Sequence, residues 1–430
     1  MDGRWSSNRK KSMGLDVQMT ALATVLDLIR SGKARSKPEL QRATGLGRTI
    51  VVERVAQLLA SGLVREGELG ASTGGRAARE LQINAEAGVV LVFYVNLKGV
   101  EVGITDLSGH LLHRQHAESD FASGPEPLVE WLIKTWDNQL AKLGKTRTNV
   151  WGIGGGIPAH IDFASGTLID SPSLPASWRG FPFRRHLSAP FGAPAWLDTD
   201  DNLLAIAELR TGNARDHENF IYVHADLALG CGIVTGGTLV RGAQGAAGNI
   251  GHIAAYGGDD ALCRCGRRGC IEAVFGGEAL IRKAVAAARS GESPGLRLQA
   301  DIDLAAIGEA ARLGDPFAIE LSRAAGYNIG RILAATINVM NPALLIVGGR
   351  LLQTGTLFFA ALREAILHHS LPFVTEGLTI QSVEHPQTAG LIGAANVVLD
   401  ELFSPQELAR WFAAGSPALA LPEPVAVERI

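Results

Sequence analysis

The sequence predicts an α/β protein in two parts. A small basic head of three helices and a two-stranded ribbon precedes a two-lobed α/β body with a duplicated βββ-α unit. Three observations carry this. Apolar residues recur at helical spacing three times before Gly62, a set of three short strands appears at 88–114 and again at 220–241, and the charge divides near residue 80. Residues 1–80 hold 14 Lys and Arg against 8 Asp and Glu, a net of +6, and the remaining 350 hold 26 against 35, a net of −9. A basic head on an acidic body is the footprint of a nucleic-acid-binding module joined to something else. With 430 residues, 47% of them apolar and 19% charged, the chain exceeds one small domain and buries cores; a long disordered polymer is excluded.

The head is read first. Thr20–Arg30 places Leu22, Val25, Leu26 and Ile29 on one helical face, and Gly32 ends it. Ser36 followed by Glu39 is a capping box opening a helix over Lys37–Thr44, with Leu40 and Ala43 turned inward. Gly45 breaks the chain, and Arg48–Ala60 carries Val51, Val55, Leu58 and Leu59 on one side before Gly62. Leu63–Glu66 and Glu80–Ile83 read as strands around the small-residue loop Gly67–Gly75. Together these make a winged helix-turn-helix over residues 1–84, with residues 1–15 as a mobile arm. Arg48, Thr49 and Val52 would face bases in the major groove, Arg54 a phosphate, and Arg76 at the wing tip the minor groove. Double-stranded DNA is the expected partner.

In the body, Gly88–Asn96, Val100–Asp106 and Leu111–Arg114 are consecutive strands, repeated as Phe220–Leu227, Cys231–Thr235 and Thr238–Arg241. The boundaries follow: a first lobe over 85–205 completed by a helix near 388–400, a second over 206–387, and an extension over 401–430 in which Pro405–Phe412 is helical. A ligand cleft is expected between the lobes. Glycine-rich stretches such as Gly152–Gly156 and Gly230–Gly232 read as strand-end turns that let a backbone approach a phosphate or sugar. Polar, basic residues follow Met1, and the apolar runs Gly88–Val95 and Ala343–Val347 are far below the roughly 20 residues that cross a bilayer, so a cytoplasmic protein without a membrane partner is expected.

Three of the four cysteines lie within eight residues, Cys263, Cys265 and Cys270, shortly after His252. Three thiolates and an imidazole form a closed tetrahedral set for structural Zn²⁺. His252 could still touch a ligand with its other ring nitrogen. Cys231 reads as a core thiol. Asp198–Asn202 follows the strand Pro194–Leu197 and precedes a helix, so its carboxylates read either as an acid/base pair at the cleft or as a cap and negative first turn.

On these residues the chain resembles the ROK family (repressors, unassigned frames and sugar kinases), and within it the branch with a winged helix-turn-helix before a sugar-kinase-like body. The resemblance spans about Ala21 to Leu399. Its carriers are the zinc segment, Ile153–Pro158 with Asp162 and Gly166, Ser171–Trp178, Gly242–His252, and in the head Leu46–Val64 and Thr73–Arg76. It implies an actin-like fold, a homodimer or homotetramer, and a sugar or sugar-phosphate effector near Gly156, Ser173, Thr199, Asp200, Asn249, His252 and Glu272. The family's catalytic base falls on Asp200.

The departures point away from phosphoryl transfer. The family's Asp-x-Gly-Gly-Thr phosphate turn stands here as Tyr94-Val95-Asn96-Leu97-Lys98, and Gly-Thr-Gly-x-Gly as Asp226-Leu227-Ala228-Leu229-Gly230. Without these cradles a nucleotide has little to hold it, which leaves Asp200 as a vestigial base and the chain as no enzyme. Thr199, Ser173 and Asn249 replace an Asn, an Asn and a Glu of the sugar subsite. The expectation is a carbohydrate-linked transcriptional repressor. A ligand-insensitive DNA-binding protein and an ATP-dependent sugar kinase are the alternatives.

Overall fold

The computed structural model describes residues 4–69, 79–96, 99–118, 121–256, 260–297, 299–384 and 387–414. Helix α1 (Arg4–Arg30) begins well before Thr20, so the stretch expected to be a mobile arm continues the helix from Arg4 onward. Ser36 and Glu39 close the expected capping box on α2 (Lys37–Thr44), and Gly45 ends it with φ 68°, a left-handed conformation that favours glycine. Helix α3 (Arg48–Ala60) buries Val51, Val55 and Leu58. Strands β1 (Val64–Leu69) and β2 (Arg79–Ile83) pair antiparallel, with Val64 opposite Ile83.

The first lobe runs through β3 (Val89–Asn96), β4 (Gly99–Asp106), β5 (Leu111–Ala117), α4 (Pro125–Lys142), β6 (Val150–Ile157), the hairpin β7 (His160–Asp162) and β8 (Thr167–Asp170), α5 (Phe183–Phe191), β9 (Ala195–Thr199) and α6 (Asp200–Thr211). Its sheet has the order β5-β4-β3-β6-β9, antiparallel over the first three strands and parallel from β3 to β9. The second lobe contains β10 (Phe220–Ala225), β11 (Leu229–Thr235), β12 (Thr238–Leu239), α7 (Ile271–Phe275), α8 (Gly277–Ser290), α9 (Pro294–Arg297), α10 (Leu304–Arg312), α11 (Pro316–Met340), β13 (Leu344–Gly348), α12 (Thr356–His369), α13 (Pro372–Thr375) and β14 (Thr379–Ser382). Its order, β12-β11-β10-β13-β14, repeats the pattern of the first with the same strand directions. One unit occurs twice.

The chain then returns to the first lobe through α14 (Ala389–Leu402) and α15 (Pro405–Ala414). Helix α14 lies on β6 and β3, and this explains the glycine run of β6. A side chain at Gly152 or Gly154 would collide with Val398 or the Ala394 carbonyl, and one at Gly156 with Leu203 and Tyr94. These glycines therefore sit inside an extended strand and make room for helices. They are not a turn open to a ligand, and Gly156, expected at the effector, is buried under Tyr94 and Leu203.

The head is not a bead on a string. Leu22, Val25, Leu26 and Ile29 of α1 belong to one apolar core with Phe403, Leu408 and Trp411 near the C-terminus. Helix α15 packs along α1, and the Trp411 ring meets Trp151 edge-on with centroids 5.4 Å apart. Such aromatic pairs add roughly 0.5–1.5 kcal/mol beyond the area they bury.

Candidate effector cleft, metal loop and head surface

A cleft of about 860 Å³ opens between the lobes. Thr199, Asp200 and Asp201 enter it from the start of α6, and Ser173, Asn249, His252 and Glu272 line it from the surrounding loops and α7. Helix α6 begins here because the Thr199 hydroxyl accepts the Asn202 N–H at 3.3 Å, so the capping reading holds for Thr199. Asp198 is buried and spoken for: it accepts from Asn202 Nδ2 at 2.6 Å and from Arg241 Nε at 2.7 Å, while the Arg241 guanidinium lies 3.7 Å over the Phe163 ring. Asp200 and Asp201 are left to face the cleft. Glu272 accepts the Leu229 N–H at 2.9 Å, tying α7 to the β10–β11 turn. Asn249 donates from its amide to the Ala246 carbonyl at 2.8 Å.

One end of the cleft is occupied by the chain's own charges. His224 at the end of β10 shares a hydrogen bond of 2.8 Å with Asp201, lies 4.0 Å from Asp200, and has its other ring nitrogen 3.8 Å from Asp226. Arg350 holds Asp226 through its side chain at 2.5 and 2.8 Å and through its backbone N–H at 3.1 Å. The Asp201 carboxylate covers Gly230, where a side chain would strike it, and the Tyr94 ring covers Gly390.

Each titration follows from this packing. Burial alone would push the His224 imidazole down, but its hydrogen bond to Asp201 and the charges of Asp201, Asp226 and Asp200 lift it to about 9. Burial and then the Asp201 charge push Asp200 up to about 7, against the pull of His224. Burial also opposes ionisation of Asp226, yet the Arg350 hydrogen bond and the charges of His224 and Arg350 bring it to about 2.

The expected metal ligands do converge. His252 Nδ1 is 3.6 Å from Cys263 Sγ, Cys265 and Cys270 are 3.7 Å apart at sulfur, and one ligand atom from each of the four lies within 4.8 Å of the others. Bridges between Ala254 and Cys270 and between Leu262 and Arg268 pin the loop. Four nitrogen and sulfur donors without a carboxylate suit a closed tetrahedral zinc site, so these residues could hold that ion. Cys231 lies apart from them, buried in the core of the second lobe.

On the head, Arg48, Thr49 and Val52 stand exposed on α3, joined by Ile50, which pattern reading did not single out. Arg54 departs from expectation. It is 5% exposed, and its guanidinium donates to Gln57 Oε1 at 2.6 Å and lies 3.6 Å from Glu53. It braces α3 from within because its position shares the buried face with Val51, Val55 and Leu58. Arg76 lies outside the described residues.

The ROK family model matches residues 97–401, most of the chain. The chain belongs to the ROK family. A xylose repressor from Caldicellulosiruptor bescii is 26% identical, covering 91% of this chain and 97% of that protein. Among solved structures, a ROK family transcriptional regulator, a homolog of Escherichia coli Mlc, aligns with a TM-score of 0.79 at 22% identity over 92% of this chain and 98% of its own. A ROK hexokinase from Thermus thermophilus aligns with a TM-score of 0.60 at 28% identity over 75% of this chain and 99% of its own. The actin-like sugar-kinase fold of the ROK body is thereby shown. Among the described residues no helix is long and apolar enough to cross a membrane.

His224 and Arg350 escaped the sequence reading. A lone His in a strand and an Arg after Gly348-Gly349 carry no spacing signal, and their partners lie 23 and 124 residues away.

Proposed function

We propose that this chain is a ROK-type transcriptional repressor. The head is a winged helix-turn-helix that reads operator DNA with Arg48, Thr49 and Val52, and the body carries an effector cleft and a structural zinc loop. The observation that carries this is the extent of the likenesses. The hexokinase is covered to 99% of its length yet leaves a quarter of this chain unmatched, whereas the repressor and the regulator span both parts. Two heads in a homodimer or homotetramer would meet two half-sites of a palindromic operator.

The body acts without phosphoryl transfer. Asp201 over Gly230 and the Arg350-clamped Asp226 put carboxylates where ATP phosphates would need donors and metal. The same charges favour an uncharged sugar over a sugar phosphate as effector, gripped by Asp200, His252 and Glu272 and bordered by Thr199, Ser173 and Asn249. Effector binding shifts the population of head arrangements that fit the operator.

Sequencing of genomic fragments retained by the protein, with and without neutral sugars and their phosphates, tests the reading. A discrete inverted-repeat site released by one neutral sugar is the expected result. The absence of any enriched site would overturn it, and sites indifferent to every sugar would reduce it to a ligand-insensitive regulator. On the recovered site, Arg48→Ala is expected to weaken binding by about 1–3 kcal/mol and to relax base preference at one position. Arg54→Ala, by contrast, should lower thermal stability and leave the salt dependence of DNA binding unchanged, as measured by titration at several salt concentrations. In a coupled assay with ATP and a sugar panel the expected turnover is nil. Turnover abolished by Asp200→Asn would restore the kinase alternative.

A further inference from the structure

The joint between head and body contains a charge cluster that the cleft and the DNA surface do not use. Arg30, at the C-terminal end of α1, is buried to 8% side-chain exposure. Its guanidinium donates to Asp27 at 3.1 Å, to Asn396 at 3.4 Å and to Asp400. Arg210, from the last turn of α6, reaches the other Asp400 oxygen at 2.9 Å and Asp27 at 3.5 Å. Two arginines and two carboxylates from three helices thus meet at one point, and one of those helices belongs to the head.

Helix α6 gives this cluster a second meaning. Its first turn carries Asp200 and Asp201, and Asp201 is bound to His224 in the cleft. Its last turn carries Arg210. Twelve residues span about 18 Å, so one rigid rod connects the cleft with the mount of the head. Helix α14, packed along α6, supplies Asp400 near its C-terminal end and Ala389 and Gly390 to the cleft at its start.

We propose that Asp400 and Arg210 are positioning residues for DNA binding: the Arg30–Asp400–Arg210–Asp27 cluster latches the head to the body, and α6 transmits to it the state of the cleft. The proposal rests on the repressor reading only for its purpose, since the latch and its lever are measurable without DNA. A buried arginine with two carboxylates has one well-satisfied geometry, so a displaced Arg210 takes Asp400 with it or leaves it to Arg30 alone. Either outcome changes how tightly α1 is held.

Amide hydrogen exchange on the full-length protein tests this. Asp400→Asn is expected to speed exchange over Leu22–Arg30 and Pro405–Phe412 by tenfold or more while β3 and β6 keep their protection, with Asp400→Glu restoring most of it. Arg210→Gln, which leaves Arg30 paired with Asp400, serves should the first variant not fold. Asp201→Asn, at the far end of α6, is expected to speed exchange at the latch several-fold in the wild-type background and to add nothing in Arg210→Gln. Wild-type exchange over α1 in Asp400→Asn and Arg210→Gln would overturn the latch. An Asp201→Asn effect of equal size with and without Arg210 would overturn the lever. A protein that binds no DNA yet shows both effects would remove the repressor reading and leave the latch standing.

Discussion

Cys270→Ser, or removal of the metal from the wild-type protein with a chelator, is expected to cause the largest loss of stability of any single change. Cys263 and Cys270 are 4% and 2% exposed, so without an ion two thiols stay buried with only weak sulfur contacts in place of metal bonds. The damage spreads because Cys270 immediately precedes α7, whose Glu272 holds the Leu229 N–H at the cleft. Structural zinc supplies about 10–16 kcal/mol in isolated finger peptides. Here the second lobe keeps its own core, so about 3–5 kcal/mol is the expected cost, a fall of roughly 5–15 °C in Tm. Calorimetry of the wild-type, chelated and Cys270→Ser proteins, with metal content by mass spectrometry, measures it. An unchanged Tm in demonstrably metal-free protein would mean that the loop is held by its backbone bridges, and the zinc assignment would fall.

Stability is also expected to decline as pH rises from about 6.5 to about 9. His224 is lifted from its usual 6.5 to about 9, so between those values the folded protein holds a proton that the unfolded chain has released. Its contribution is complete below 6.5 and lost as pH passes 9, about 3 kcal/mol in all. Asp200 acts in the same direction at lower pH: its folded value near 7 makes stability fall between about 3.8 and 7. Asp226 runs the other way, stabilising above 3.8 and losing that contribution as pH falls toward 2. Urea unfolding at pH 6, 7.5 and 9 reads the upper limb. His224→Gln is expected to flatten it, and a slope that persists in that variant would locate the titration elsewhere.

The helices and strands of the head and body were legible because their signals are local. Leu22, Val25, Leu26 and Ile29 repeat at the helical period, Ser36 and Glu39 are three residues apart, and both βββ sets are short apolar runs separated by tight turns. The convergence of His252, Cys263, Cys265 and Cys270 was legible for the same reason, since thiol and imidazole chemistry needs no fold to be recognised as a set that could hold a metal. The glycine run of β6 misled, because the same residue type serves a ligand turn and a close helix contact. Which of the two applies depended on α14, some 240 residues further along the chain.

By itself, then, the sequence determined the division into a basic head and an acidic body, the repeated α/β unit and the Cys263, Cys265, Cys270 and His252 donor set that could hold a metal. Tertiary structure alone decided that Arg54 turns inward, that Gly156 packs under Tyr94, that His224 sits among Asp200, Asp201 and Asp226, and that Arg30 finds Asp400 across 370 positions. The physical reason is range. Backbone period, capping and ligand chemistry act over a few neighbouring residues, whereas burial and charge pairing depend on which distant elements the packing brings within a few ångströms.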